Sequence, residues 1–155
     1  MATPVKLTEI IEGMDFQSDE RSSFLNLTTK NVVSITDEEL RAAENDAPLG
    51  DFPDWQHDAI RIAGEILETD HYLPLPDRFE INEYRIMERF CLSMDDDDLR
   101  DDLCDVIRGR GAFRRFKDRM QLYEMAEEWY RYRDEALREI AVGWCEEHGI
   151  PYTET

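Results

Sequence analysis

Phe24-Leu-Asn-Leu-Thr-Thr-Lys-Asn-Val-Val-Ser-Ile35 is the stretch that adds strands to a chain otherwise helical in its periodicity. Phe24 to Leu27 and Val32 to Ile35 are short apolar runs, the second rich in β-branched residues, and Thr28-Thr29-Lys30-Asn31 between them is polar. That arrangement predicts an antiparallel hairpin. Upstream, Leu7, Ile10, Ile11 and Met14 recur at helical spacing and predict a short helix ending near Asp15. Downstream, Thr36 and Glu39 stand three apart as a capping box that opens a short acidic helix. Pro48, Gly50 and Pro53 make residues 46–53 a loop.

From Asp54 onward the periodicity is helical, apart from an extended Tyr72-Leu-Pro-Leu-Pro76. Trp55, Ala59, Ile62, Ala63 and Ile66 form one stripe. After the candidate cap Asn82, the next runs through Met87, Phe90, Cys91 and Met94. Leu99, Leu103, Val106 and Ile107 form a third. A helix from Ala112 to about Gln121 is expected to bury Phe113, Phe116 and Met120. The last, from about Glu124 to His148, rests on Trp129, Ala136, Leu137, Ile140 and Trp144, and Gly149-Ile150-Pro151 stops it. These elements predict an α+β fold, predominantly helical, with a small hairpin over residues 22–36 and a helical part over residues 54–149. At 155 residues the chain is expected to form one domain, 1–155.

Composition narrows the function classes. The formal charge is −19, so the molecule as a whole repels nucleic acid and anionic membranes. Cys91, Cys104 and Cys145 are odd in number and lie far apart, which favours a reducing cytoplasm over a disulfide framework. The N-terminal Met1-Ala-Thr-Pro-Val-Lys6 has no signal-peptide core, and no apolar run reaches membrane-spanning length, so the expectation is cytoplasmic with no membrane contact.

The residues that carry chemistry elsewhere mostly resolve into structure. Asp95 to Asp98 with Asp101 and Asp102 lack the alternating ligands and central glycine of a calcium loop, so they read as a helix cap and a solvated face. Glu68 and His71 match one half of a di-iron motif with no second copy. No glycine-rich phosphate loop or nucleophile elbow exists. No catalytic residue, metal ligand or cofactor is therefore assigned.

Two features stand apart. Arg108 to Arg119 holds six basic residues against one acid, Asp118, a local charge of +5 in an acidic protein. Gly109, Arg110 and Gly111 precede a helix on which Arg114, Arg115 and Arg119 are placed outward. With Lys117 they make a candidate anion or partner site. Internal pairing of these arginines with nearby acids is the competing reading, Arg114 with Asp118 among them. The second feature is a pair of charges on apolar helix faces, Glu83 beside Met87 and Phe90, and Arg133 between Trp129 and Leu137. Both are expected to be mostly buried, each within reach of an opposite charge.

Gly109-Arg-Gly-Ala-Phe-Arg-Arg-Phe-Lys117, followed by Trp129-Tyr130 and Arg133-Asp-Glu-Ala-Leu137, resembles a bacterial protein family of unknown function. The resemblance runs from the first helix to Ile150 and departs from the family at Lys30-Asn31, where a glycine-containing turn is expected. It implies a bacterial, cytoplasmic domain and supplies no catalytic residue. The expected function is a non-enzymatic binding or adaptor protein with a protein partner. RNA or phosphate-ligand binding through Gly109 to Arg119 is the alternative, and an enzyme of unknown class the third.

Overall fold

The computed structural model describes residues 3–154. It is α+β and predominantly helical, and its described residues divide into two compact units, one of residues 3–80 with 140–154 and one of residues 81–139.

In the first unit, β1 (Val5–Lys6) leads directly into α1 (Leu7–Phe16). The predicted hairpin forms from β2 (Arg21–Asn26) and β3 (Val32–Thr36), with Phe24 opposite Val33 and Leu25 opposite Val32. Its turn is held by the Asn26 carboxamide oxygen, which accepts from the Thr28 and Thr29 amides, and by the Lys30 amide donating to the Asn26 carbonyl. Lys30 sits at φ 65°, the left-handed conformation that a glycine would adopt without cost. The Thr36–Glu39 capping box is present, and it opens α2 (Asp37–Glu44). A 3-10 turn at Leu49–Asp51 precedes α3 (Asp54–Glu68).

Three features of this unit differ from the sequence reading. The extended segment is a paired strand, β4 (Tyr72–Pro74), antiparallel to β2, so the sheet has the order β3-β2-β4. Residues before α1 and after Ile150 form a parallel pair, β1 with β5 (Tyr152–Thr153). On α3 the buried face is Gln56, Ile60 and Ala63, while Trp55 is 76% exposed. Trp55 lies in the helix's first turn, immediately before Gln56 on the inward face, so the stripe is rotated from the one the bulkiest residue suggested.

α1 crosses the sheet at Gly13. An added Cβ there would lie 2.7 Å from both Leu75 Cδ1 and Val32 Cγ1. The Ser23 hydroxyl donates to the Gly13 carbonyl at 2.8 Å and lies 2.8 Å from the Ser34 hydroxyl, fastening helix to strands where they come closest. The Gln17 side chain spans the strand ends, accepting from the Ser23 amide and donating to the Pro76 carbonyl. A second buried polar contact joins Glu39 to Gln56, whose side chains are nearly inaccessible and lie 3.5 Å apart.

The second unit begins with the short α4 (Arg78–Ile81), whose last residue it includes. It continues through α5 (Glu83–Leu92), α6 (Asp97–Val106) and α7 (Ala112–Leu122). Asn82 and Asp96 cap α5 and α6 by accepting from backbone amides three residues on. α8 (Ala126–Glu147) contributes its residues to Glu139 here and the rest to the first unit. Phe90, Phe116 and Trp129 meet edge to face, with centroids 4.9–6.0 Å apart, and anchor α5, α7 and α8 in one aromatic core. Gly149 at φ 65° ends α8: its amide donates to the Glu146 carbonyl and that of Ile150 to the Cys145 carbonyl.

Replacing Gly13 by Ala would gain up to about 1 kcal/mol of helix propensity. It also forces a methyl against Val32, whose β-branched side chain turns poorly, at a cost of about 1–3 kcal/mol. The packing term is the larger. Gly13→Ala should therefore lower the urea midpoint of unfolding, and an unchanged or raised midpoint would show that α1 is not held this close.

Candidate functional site: the corner between α6 and α7

The basic segment spans the turn from α6 into α7, and its arginines divide sharply. Helix α6 ends at Val106, leaving carbonyls without helical partners. Arg115, one turn into α7, folds back over that end. Its Nε donates to the Val106 carbonyl at 2.7 Å, its Nη2 to Arg108 at 2.6 Å, and its Nη1 to Arg110. The intervening carbonyl, Ile107, accepts from the Tyr84 hydroxyl at 2.9 Å. Two side chains thus satisfy four carbonyls of a five-residue stretch.

The glycines make that convergence possible. Gly109 and Gly111 both have φ 76°, where a side chain is strained, and a Cβ on Gly111 would sit 3.0 Å from Arg115 Nη1. Gly-Arg-Gly followed four residues later by Arg is therefore a helix-corner device. A guanidinium also complements the negative end of the α6 dipole.

Arg119 turns inward as well. Its Nε donates to Asp102 Oδ2 at 2.9 Å, and the Tyr123 hydroxyl donates to the same oxygen at 2.6 Å. The Tyr123 hydroxyl, together with the Arg119 guanidinium, holds the Asp102 carboxyl below the usual aspartate range. The same bond to Asp102 pushes the Tyr123 phenol up. The outward placement of Arg115 and Arg119 is thereby corrected, as is the solvated placement of Asp102. Each partner lies far along the chain or in backbone carbonyls, where four-residue spacing cannot reveal it.

The remaining cations stay outside. Arg108 is exposed, with Asp105 at 3.9 Å. Arg110, Arg114 and Lys117 are exposed, and among the described residues their side chains form no ion pair, so the Arg114–Asp118 bridge of the competing reading does not form. Phe113, expected in the core, is 42% exposed because Ala112 takes the inward position beside Phe116 and Met120. Its ring stands edge-on to Tyr84, with centroids 6.5 Å apart.

Glu83 and Arg133 do meet, through Arg133 Nε to Glu83 Oε1 at 2.9 Å and a second contact from Nη2 to the same oxygen. The expectation that both are buried is corrected for Glu83. As the first residue of α5 its side chain is 45% exposed, against 19% for Arg133, which makes this a rim pair.

Other reactive groups are held in structural settings. Burial pushes the Cys91 thiol up to about 12, with the nearby Cys104 adding to it, and raises that of Cys145. The His57 ring contacts the Phe52 carbonyl at 3.0 Å. Among the described residues no three His, Cys, Asp or Glu side chains gather where they could hold a metal, and no helix is long and apolar enough to cross a membrane.

This is a helical α+β protein with an arginine-capped corner beside an exposed aromatic and basic face. The chain belongs to UPF0158, described as an uncharacterised protein family, whose model matches residues 3–154. Over 66 residues it is 32% identical to the UPF0158 protein PA5073 of Pseudomonas aeruginosa, a match covering 42% of this chain and 43% of that protein. The resemblance to a bacterial family of unknown function is thus established. No solved structure matches the chain.

Removing the Arg115 guanidinium leaves three carbonyls without their charged donor. Since water reaches part of the corner, Arg115→Met should destabilise by about 1–3 kcal/mol, the range for hydrogen bonds to charged groups. Arg114→Met, one residue away, should cost about 0.5 kcal/mol or less. Equal midpoints for the two variants would remove Arg115 from this role.

The Asp102 cluster has a pH signature with a definite sign. A carboxyl lowered in the folded state adds stability above its unfolded pKa, and that contribution is lost as pH falls through the lower folded value. A phenol raised in the folded state adds stability below its unfolded pKa, lost as pH rises through the higher folded value. Tyr123→Phe should move the Asp102 carboxyl back up, read by carbon NMR titration. Asp102→Asn should move the Tyr123 phenol back down, read by phenolate absorbance.

Proposed function

We propose that this chain is a non-enzymatic binding protein of the bacterial cytoplasm that docks an acidic protein partner on the outer face of α7. One observation carries the reading. Phe113 is half out of the core and flanked by Arg110, Arg114 and Lys117, none of which is spent on an internal ion pair among the described residues. In a chain of charge −19, exposed cations grouped beside an exposed ring give an anionic and apolar surface a local place to dock that the rest of the molecule's field does not offer. Aromatic and arginine side chains are also the residues that concentrate binding energy at interfaces.

The alternative, an RNA or phosphate ligand at Gly109 to Arg119, draws support from the N-terminus of α7, which no side chain caps. It loses support from Arg115, whose guanidinium beside that terminus is committed to carbonyls, and from Arg119, committed to Asp102. For an enzymatic reading, the buried Cys91 and Cys145 thiols are raised and so poor nucleophiles.

Replacing Arg110, Arg114 and Lys117 together by Gln should change stability by about 1 kcal/mol or less. It should abolish capture of a protein partner from native lysate that the wild type retains at low salt and releases as salt rises. Nucleic acid captured in the partner's place, and lost in the same variant, would move the reading to the RNA alternative.

A further inference from the structure

We infer, resting on that docking reading, that the partner presents an amphipathic helix carrying two carboxylates one turn apart beside an apolar anchor. The face itself sets the register. Arg114 and Lys117 are three apart on α7, and Phe113 and Lys117 four apart, so the three side chains are neighbours on one arc with Cβ atoms about 5–6 Å apart. Two carboxylates one turn apart on a facing helix match that spacing, and an apolar residue next to them meets the Phe113 ring.

The docking mode follows from what the face offers. α7 is a helix whose backbone groups bond internally, so it presents no open strand edge, and an extended peptide gains no main-chain hydrogen bonds there. Helix on helix brings side-chain ridges together at axial separations of about 8–10 Å. The anchor is supported on one side: Phe113 rests against Tyr84, and Tyr84 is tied by its hydroxyl to the Ile107 carbonyl, which lowers the side-chain freedom lost on docking. Asp118 follows Arg114 at four residues on the same outward arc. It disfavours a further carboxylate beyond Arg114 and so keeps the pair over Arg114 and Lys117.

Charge argues for a protein segment over a nucleic acid. Arg110, Arg114 and Lys117 would neutralise few phosphates, while a polyanion longer than the face would run over a surface that is otherwise acidic. A helix with two carboxylates engages the local cations and brings little further negative charge.

The test uses two synthetic helical peptides of identical composition and charge. One carries Glu at positions one turn apart beside a Leu, and the other carries the same Glu residues on the opposite side of the helix. In fluorescence anisotropy at low salt against the full chain, the first should bind about tenfold or more tightly than the second, equivalent to ~1.4 kcal/mol. That advantage should vanish in Phe113→Ala, a half-exposed position at which circular dichroism should report an intact fold. Equal binding of both peptides would overturn the helical register and leave acidic docking standing. Binding of neither, with wild-type protein at low ionic strength, would overturn the docking reading itself. A single-stranded RNA oligonucleotide binding more tightly than either peptide, and losing affinity in the Arg110, Arg114 and Lys117 variant, would overturn the partner class.

Discussion

The second unit depends on one guanidinium. A helix that ends and is followed within a few residues by another leaves a set of carbonyls pointing into a corner, and each must find a donor. Arg115 supplies donors to three of them and Tyr84 to a fourth. A lysine could not substitute, because its donors radiate from one atom, whereas the guanidinium fork reaches several acceptors in a plane. Once the corner is set, α7 runs back past α6 in the register that brings Arg119 and Tyr123 to one oxygen of Asp102. The inward residues Ala112, Phe116 and Met120 and the outward Phe113 and Arg114 follow from that same rotation.

Much of this fold could be read from sequence because its helix ends use local chemistry. Thr36 with Glu39, Asn82 and Gly149 act within three to five residues of themselves and do what their positions predicted, and the aspartate cap expected within Asp95 to Asp98 is Asp96. The hairpin was legible for the same reason. What stayed hidden is long-range. β4 pairs with β2 across almost fifty residues, and β1 with β5 across nearly the whole chain. No periodicity announces such partners, and two-residue strands are too short to carry a pattern.

The misread residues share a cause. Trp55 and Phe113 were placed inside because large aromatic side chains usually dominate a stripe, yet each lies directly beside the residue that takes the buried position, Gln56 and Ala112. Gln56 goes inward because it has the Glu39 carboxylate to meet, itself fixed by the capping box. In both helices the smaller or more polar neighbour takes the buried position, and for Gln56 a polar partner waits there. Arg115 was misplaced for a related reason. A search for acids at four-residue spacing finds ion pairs, and this guanidinium is satisfied by backbone carbonyls.

Of the α6–α7 corner, the concentration of basic residues was legible and the division of their roles was not. A run of six basic residues in a chain of charge −19 marks the α6–α7 corner from composition alone. Only the structure separates the arginines that build the corner from the cations left outside it. The two roles are coupled physically. Arg115 and Arg119 hold α7 against α6, and Tyr84, by bonding the same corner, becomes the support on which the Phe113 ring rests. The structural arginines therefore present the free cations on a rigid helix at a defined spacing. Under the proposed docking, a surface held in that way would select among anionic partners by geometry, where a flexible basic loop of equal charge would select by charge alone.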